Sequence, residues 1–256
     1  MSVHDSGAGA GAPVFLLHGF SGNYTRWGKA ADLLSKKRRV ITYDLRGHAE
    51  SDKSADLDYS FETHAEDLAG LMDALGIERA VVAGHSMGGM VAQHFGLKYP
   101  ERVEKLILCA TTQCLMRNAA KRAFINFAIH LLILLPMILG FVVRRKLLTK
   151  PAELFPEREN PALDFADAAL VRCFRCIANH DLRGRIAGLR VPTLVLSSTK
   201  DEMINPALVQ DLAKEIPGAQ FVPIENQTHF VPLEQPAKVA EVVENFLGQA
   251  PAATRA

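Results

Sequence analysis

Short apolar runs alternate with helical patterns along most of the chain, and this alternation constrains the fold more than any other feature. "PVFLLHG", "RRVITYDL", "RAVVAG", "VEKLILCA", "VPTLVLSS" and "AQFVPIE" read as strands. Between them, helical spacing runs from about Thr25 to Lys36. It returns in "SFETHAEDLAGLMDALG", where Ser60 is placed to cap the start and Gly76 to stop the end. Further helices are expected up to Tyr99, from Pro206 to Glu215 and from Gln235 to Leu247. Strands alternating with helices mean βαβ units and a mostly parallel, doubly wound α/β sheet, here of six countable strands. At 256 residues the chain suits one such domain and can bury a large core. The stretch from Thr111 to Asp181 breaks the rhythm. It is largely helical, carries Pro136, Pro151, Pro156 and Pro161, and offers no clear strand. The expected organisation is a core of residues 1–110 and 182–256 with a helical cap, residues 111–181, inserted over one end of the sheet.

Charge and cysteine content narrow the function classes. A formal net charge of +1 gives no reason to expect nucleic acid or an acidic partner. Cys109, Cys114, Cys173 and Cys176 are too few to frame a chain this large with disulfides. The Cys-x-x-Cys pair at Cys173 and Cys176 lacks the second ligand pair of a metal site, so buried helix positions are expected. No phosphate loop, dinucleotide fingerprint or metal-ligand spacing is present, so no cofactor is expected. The start, "MSVHDSGAGAGAP", lacks the pattern of a secretory signal, and a reducing cytoplasm is the default location.

Chemistry in such sheets gathers at the carboxyl ends of the strands. His18, Gly19 and Phe20 follow the first strand. Asp44, Arg46, Gly47 and His48 follow the second. Ser86 follows the third inside "VVAGHSMGGMVAQ", Asp201 follows "VPTLVLSS", and His229 follows "AQFVPIE". In Gly84-x-Ser86-x-Gly88, small residues flank a serine at the apex of a sharp strand-to-helix turn, which leaves the hydroxyl clear of the backbone. Serine, acid and histidine in that order form a working set. A serine hydroxyl is a weak nucleophile at neutral pH, a histidine must take its proton, and a carboxylate must orient that histidine.

These residues resemble the α/β-hydrolase-fold serine hydrolases. The resemblance rests on "HGFSG" (His18–Gly22), "DLRGHAES" (Asp44–Ser51), "GHSMGG" (Gly84–Gly89), "TKDEMINP" (Thr199–Pro206) and "THFVPLEQP" (Thr228–Pro236). It implies Ser86 as nucleophile, His229 as general base, Asp201 as the orienting acid, and an oxyanion hole of the Phe20 and Met87 backbone amides. Three departures stand out. Ala49 and Thr228 occupy positions where the family often has glycine, and few residues precede the first strand, so the first edge strands are expected to be reduced or missing.

Other residues carry plainer readings. His18 is expected to bond loop backbone, His85 to have no direct catalytic part, and Asp44 and Arg46 to brace a loop. Glu202 competes with Asp201 for the acid role. Trp27 either lines the pocket as a substrate contact or packs the first helix, and His180 and Asp181 are assigned no chemistry. Residues 123–143, "AFINFAIHLLILLPMILGFVV", carry no formal charge, and as a straight helix they would be about 31 Å long, enough to cross a bilayer. One crossing would put "VEKLILCA" and "VPTLVLSS" on opposite sides of a membrane, yet both belong in one sheet. Pro136 would also break the helix. The segment is therefore expected to form cap helices that line the pocket, with Leu132 and Leu135 as substrate contacts, or dip into a membrane interface, or form a dimer contact.

The expected reaction is hydrolysis of an apolar carboxylic ester, such as a lipid ester like a monoacylglycerol, through an acyl-enzyme. The same triad also serves lactonases, carbon–carbon bond hydrolases and cofactor-free haloperoxidases. A non-catalytic binding protein on the same scaffold is the alternative from outside enzymology.

Overall fold

The computed structural model describes residues 1–52, 58–128, 168–225 and 227–249. Seven strands form one sheet in the order β1-β3-β2-β4-β5-β6-β7. They are β1 (Val3–Asp5), β2 (Val14–Leu17), β3 (Val40–Tyr43), β4 (Ala80–His85), β5 (Val103–Cys109), β6 (Thr193–Ser198) and β7 (Gln220–Ile224). Six match the apolar runs of the sequence. The seventh, β1, pairs antiparallel with β3 through Val3–Tyr43, His4–Thr42 and Asp5–Ile41. The N-terminal edge is thus reduced to three residues rather than lost.

Alternation within the strands sorts the core into two layers. Phe15, Leu17, Ile41, Tyr43, Val82, Leu106, Leu108 and Val195 face one side. There they meet α2 (Phe61–Ala74), α3 (Met87–Lys98), α4 (Ala168–Asn179) and α5 (Pro206–Glu215). Val14, Leu16, Val40, Val81, Ala83, Ile107, Cys109, Leu194 and Leu196 face the other side. There they meet α1 (Gly28–Ser35) and α7 (Pro236–Leu247), the latter preceded by the short α6 (Val231–Glu234). A period of two inside each strand, with helices on both faces, is what a doubly wound sheet requires. Ser60 caps α2 as expected, accepting from the Thr63 amide.

The order of the strands decides where the loops open. From β2 the chain moves outward to β3, then returns past β2 to β4. After β2 it turns to the face of α1, and after β4 to the face of α3. The loops leaving the carboxyl ends of β2 and β4 therefore diverge and leave a crevice between them.

At the insertion, Cys114 bridges Asp181 and the Leu182 amide donates to the Gln113 carbonyl at 2.8 Å, so the two ends of the insertion meet at its base. Residues 119–128 are helical and are tied to the end of α4 by a paired Asn126–Asn179 amide contact and to Asp181, just beyond it, by an ion pair with Arg122. On α4, Ala169, Cys173 and Ile177 enter the core at helical spacing. Cys176 on that helix is half-buried, and all four cysteines are free. Most of the apolar segment, including Leu132, Leu135 and Pro136, lies outside the described residues. Among the described residues no helix is long and apolar enough to cross a membrane.

Candidate active site

The serine turn is built by close approach of backbone to backbone. Ser86 sits at φ 53°, ψ −117°, a region that L residues rarely adopt and that costs on the order of 1–3 kcal/mol. The turn is held by the Ser86 amide donating to Cys109 O (2.9 Å), by Gly89 N–H donating to Ser86 O (2.9 Å), and by Thr111 Oγ1 donating to Ser86 O (2.8 Å). A Cβ at Gly84 would fall 2.2 Å from the Gly88 carbonyl oxygen, and one at Gly88 would fall 2.5 Å from the His18 and Leu17 oxygens. Both glycines are therefore steric requirements of the turn.

Asp201 lies in the loop between β6 and α5. Its Oδ1 accepts from the Met203 and Ile204 amides at 2.9 and 2.8 Å, and its Oδ2 meets His229 Nδ1 at 2.8 Å. The carboxylate side chain is fully shielded and His229 nearly so. An ionised Asp201 can only accept, so Nδ1 carries the proton and Nε2 is left as the basic nitrogen. Glu202 is exposed and does not take this place.

Ser86 and His229 share the wall of one cavity of about 40 Å³ with Gly19, Phe20, Arg26, His85, Met203 and Phe230. Larger open hollows lie elsewhere: about 350 Å³ beside His4, Tyr24 and Asp32, and about 470 Å³ beside Arg117, Lys214 and Glu215. Neither contains the strained serine or the carboxylate-bound histidine. Here chemistry, and not size, locates the site.

The flanking residues hold this geometry. His18 Nε2 accepts from the Leu45 amide at 2.9 Å, so its Nδ1 bears the proton and donates to Gly19 O at 2.8 Å. The Phe20 loop is thereby locked to the end of β3. His85 Nε2 donates to the His229 carbonyl at 2.8 Å, and burial first, then repulsion from His229, push its pKa down to about 3. His85 is a neutral strut between the serine turn and the histidine loop. Asp44 accepts from the Tyr24 and Glu50 amides, while Arg46 pairs with Asp67 on α2 at 2.6 Å. Both brace loops, as expected. Ala49 stands at φ 40°, the left-handed region where glycine is at ease, which explains the family's preference there. Thr228 compensates for replacing glycine by bonding Glu234 with both its amide and its hydroxyl.

Of the two readings of Trp27, substrate contact or packing of the first helix, the second holds. Trp27 is fully buried, its indole N–H donates to Leu17 O at 3.0 Å, and it packs with Ala30 and Leu34 on the α1 face. It closes the core and does not touch the cavity. Its neighbour Arg26 does, as do Met203 and Phe230. Met203 lies in the acid's own loop and Phe230 directly follows the histidine. Arg26 gave no signal, because a lone basic residue at a helix start reads as solvated surface.

The model of the alpha/beta hydrolase fold matches residues 12–236, and the chain belongs to that family. It is similar to a putative carbamate hydrolase RutD of Azorhizobium caulinodans, 30% identical over 94% of this chain and 93% of that one. It is also similar to a pimeloyl-[acyl-carrier protein] methyl ester esterase of Aeromonas hydrophila, 27% identical over 97% of this chain and all of that one. Among solved structures, the enol-lactonase of Burkholderia xenovorans LB400 superposes with a TM-score of 0.75 at 27% identity, covering 96% of each chain. The class is hydrolase.

Proposed function

We propose that the chain is a serine hydrolase that cleaves an apolar carboxylic ester through an acyl-enzyme on Ser86. In this reading His229 Nε2 takes the serine proton as the hydroxyl attacks the carbonyl, then returns it to the departing alcohol. Asp201 fixes the histidine's tautomer and stabilises the imidazolium. Met87 heads α3, and a helix leaves its first amides without intrahelical acceptors. Its N–H and that of Phe20, on the opposite loop, would receive the oxyanion, each donor contributing about 3–4 kcal/mol to the transition state. Water then attacks the acyl-enzyme by the same route in reverse.

The observation that carries this reading is the strained Ser86 on the wall of the cavity that also holds His229, whose Nδ1 is bound by a buried carboxylate. The apolar side of the substrate is supported by Phe20, Met203 and Phe230 in the lining, and by Phe174 packed against Phe20 with ring centres 5.9 Å apart. On helix 119–128, Phe124 and Phe127 are exposed at 70% and 64%, which supports an apolar contact surface at the start of the segment expected to line the pocket, dip into a membrane interface or form a dimer contact. The test is a fluorophosphonate label followed by p-nitrophenyl esters of rising acyl length. Labelling at Ser86 with turnover that grows with chain length is expected. No labelling would sink the serine-hydrolase reading, and a preference for acetate would sink the apolar one.

A further inference from the structure

We propose that helix 119–128 is a membrane-docking surface that seats the protein on a bilayer carrying anionic headgroups. A surface helix in water turns its apolar stripe inward and its polar side outward. This helix does the reverse. Arg122 and Asn126, one turn apart, face the protein: Arg122 pairs with Asp181 at 3.3 Å, and Asn126 exchanges two amide hydrogen bonds with Asn179 at 2.8 and 2.9 Å. Phe124 and Phe127, three residues apart and so on one face, point outward at 70% and 64% exposure. The helix is firmly started. Asn118 caps it, its side chain accepting from the Lys121 amide at 3.1 Å and its carbonyl from the Arg122 amide at 3.0 Å. A capped and anchored helix thus presents two large aromatic rings to solvent.

Charge selects the partner. The chain as a whole is nearly balanced, with 29 Lys and Arg against 28 Asp and Glu. Yet no acid occurs between Glu104 and Glu153, while Lys and Arg recur from Arg117 to Lys150. Lys121 is exposed and lies one turn before Phe124. Beyond Ala128 the sequence carries no formal charge up to Val143 and then turns basic at Arg144, Arg145 and Lys146. An aromatic pair edged by cations, in a stretch without a carboxylate, matches an anionic bilayer: the rings enter the acyl boundary and the cations meet phosphate. A second copy of the chain matches it less well. A two-fold contact sets a surface against itself, so the acid-free stretch would face its own like charge.

Docking here also orients the site. Asn179, which anchors the helix, and Phe174 lie five residues apart on α4, about 7.5 Å along its axis. Phe174 packs against Phe20, and Phe20 lines the cavity of Ser86 and His229. The docking face and the cavity wall therefore share one helix, and a lipid ester would reach the serine from the bilayer side. Delivery of an ester rests on the ester-hydrolase reading above; docking itself does not.

The experiment is flotation of the full chain with vesicles of phosphatidylcholine alone and of phosphatidylcholine with phosphatidylglycerol. The wild type should float with the anionic vesicles and be released by salt. Phe124→Gln with Phe127→Gln should weaken binding about 10- to 100-fold, the range for withdrawing two rings that enter the apolar phase partway. Lys121→Gln should weaken it about fivefold on anionic vesicles and leave neutral ones unchanged. Both rings face outward, so Tm of the double variant should hold. Should that variant still fail to fold, Phe127→Trp decides by a gain of signal: brominated lipid should quench its fluorescence, while Trp27 is fully buried in the core. No flotation with anionic vesicles, equal flotation of wild type and double variant, or quenching of Phe127→Trp no greater than that of wild type would each overturn docking. So would a dimer in solution that the double variant dissolves while vesicles stay unbound, an outcome that assigns the face to a second copy. Wild type and Ser86→Ala should float alike. A chain that floats but takes no fluorophosphonate label therefore loses the hydrolase reading and keeps the docking surface.

Discussion

Among the described residues, two carboxylate–imidazole pairs stand out, and only one has surroundings suited to catalysis. Asp201 and His229 meet at 2.8 Å, the acid side chain fully shielded and gripped by two further amides. Glu62 and His94 meet at 3.1 Å, but the Glu62 side chain is 55% exposed. His229 lines a cavity shared with Ser86. His94 turns its second nitrogen to His180 Nδ1 at 3.4 Å, while His180 Nε2 lies 3.2 Å from Thr112 O, and Phe61 packs against both rings. Neutral rings cannot fill that second chain. If His180 donates to Thr112, its Nδ1 accepts, and a His94 that donates to Glu62 has no proton left for it. The long 3.4 Å contact is the one left unmade. A histidine beside an acid is therefore not in itself a sign of catalysis. A shielded acid, a free second nitrogen and a nucleophile at the same cavity are what separate the two pairs.

Breaking each pair should show the difference at once. Ser86→Ala should lower kcat about a millionfold, because nucleophile and base act as a unit. His94→Gln should leave kcat within a few-fold. It should instead lower Tm modestly, because the ring packed against Phe61 and His180 is lost. Loss of activity in His94→Gln at unchanged Tm would mean that the second chain reaches the chemistry.

The acids give the next contrast. Asp201→Asn keeps the side-chain shape but offers His229 the wrong partner, and about 10⁴ in kcat should be lost with Tm little changed. Glu62→Gln and Glu202→Gln should each cost less than threefold. If Glu202→Gln proved the damaging change, the acid role would pass to it and the geometry at His229 would have to differ in solution.

How much of this was legible in the sequence follows from the range of the forces involved. The five inner strands, β2 to β6, and the serine turn are readable because burial on both faces and close glycine approach leave local marks such as "AVVAGHSMGG". The choice of Asp201 over Glu202 needed the fold, since adjacent residues point in different directions and only Asp201 reaches the Met203 and Ile204 amides. β1 escaped because a three-residue, half-exposed edge strand such as "VHD" has no hydrophobic period to detect. Trp27 and Arg26 are indistinguishable in sequence as neighbours at a helix start, and only the fold shows that one is core and the other lines the cavity. His180 gave no hint either, because its partner His94 lies 86 residues away.

The finest contrast between the two regions is in how stability depends on pH. His180 is pushed down to about 3, by burial first and then by repulsion from His94, against a free value near 6.5. The sign follows from proton counting. Above pH 6.5 neither the folded nor the unfolded chain protonates this ring, and it contributes nothing. As pH falls from 6.5 toward 3, the unfolded chain takes up a proton that the folded chain refuses, so stability falls. Each such ring adds a slope of up to about 1.4 kcal/mol per pH unit in that window. His180→Gln keeps an N–H for the Thr112 carbonyl but removes the titration. Urea unfolding between pH 4.5 and 7.5 should then show a curve flatter by close to one proton, with activity at pH 7.5 little changed. His85 is pushed down to about 3 by the same burial. It should flatten the curve equally when replaced by Gln, but at the cost of turnover, because its ring holds the His229 carbonyl. Equal slopes in wild type and His180→Gln would mean that the folded protein accepts the proton there, and the second histidine chain would then be a titrating site and not a sealed one.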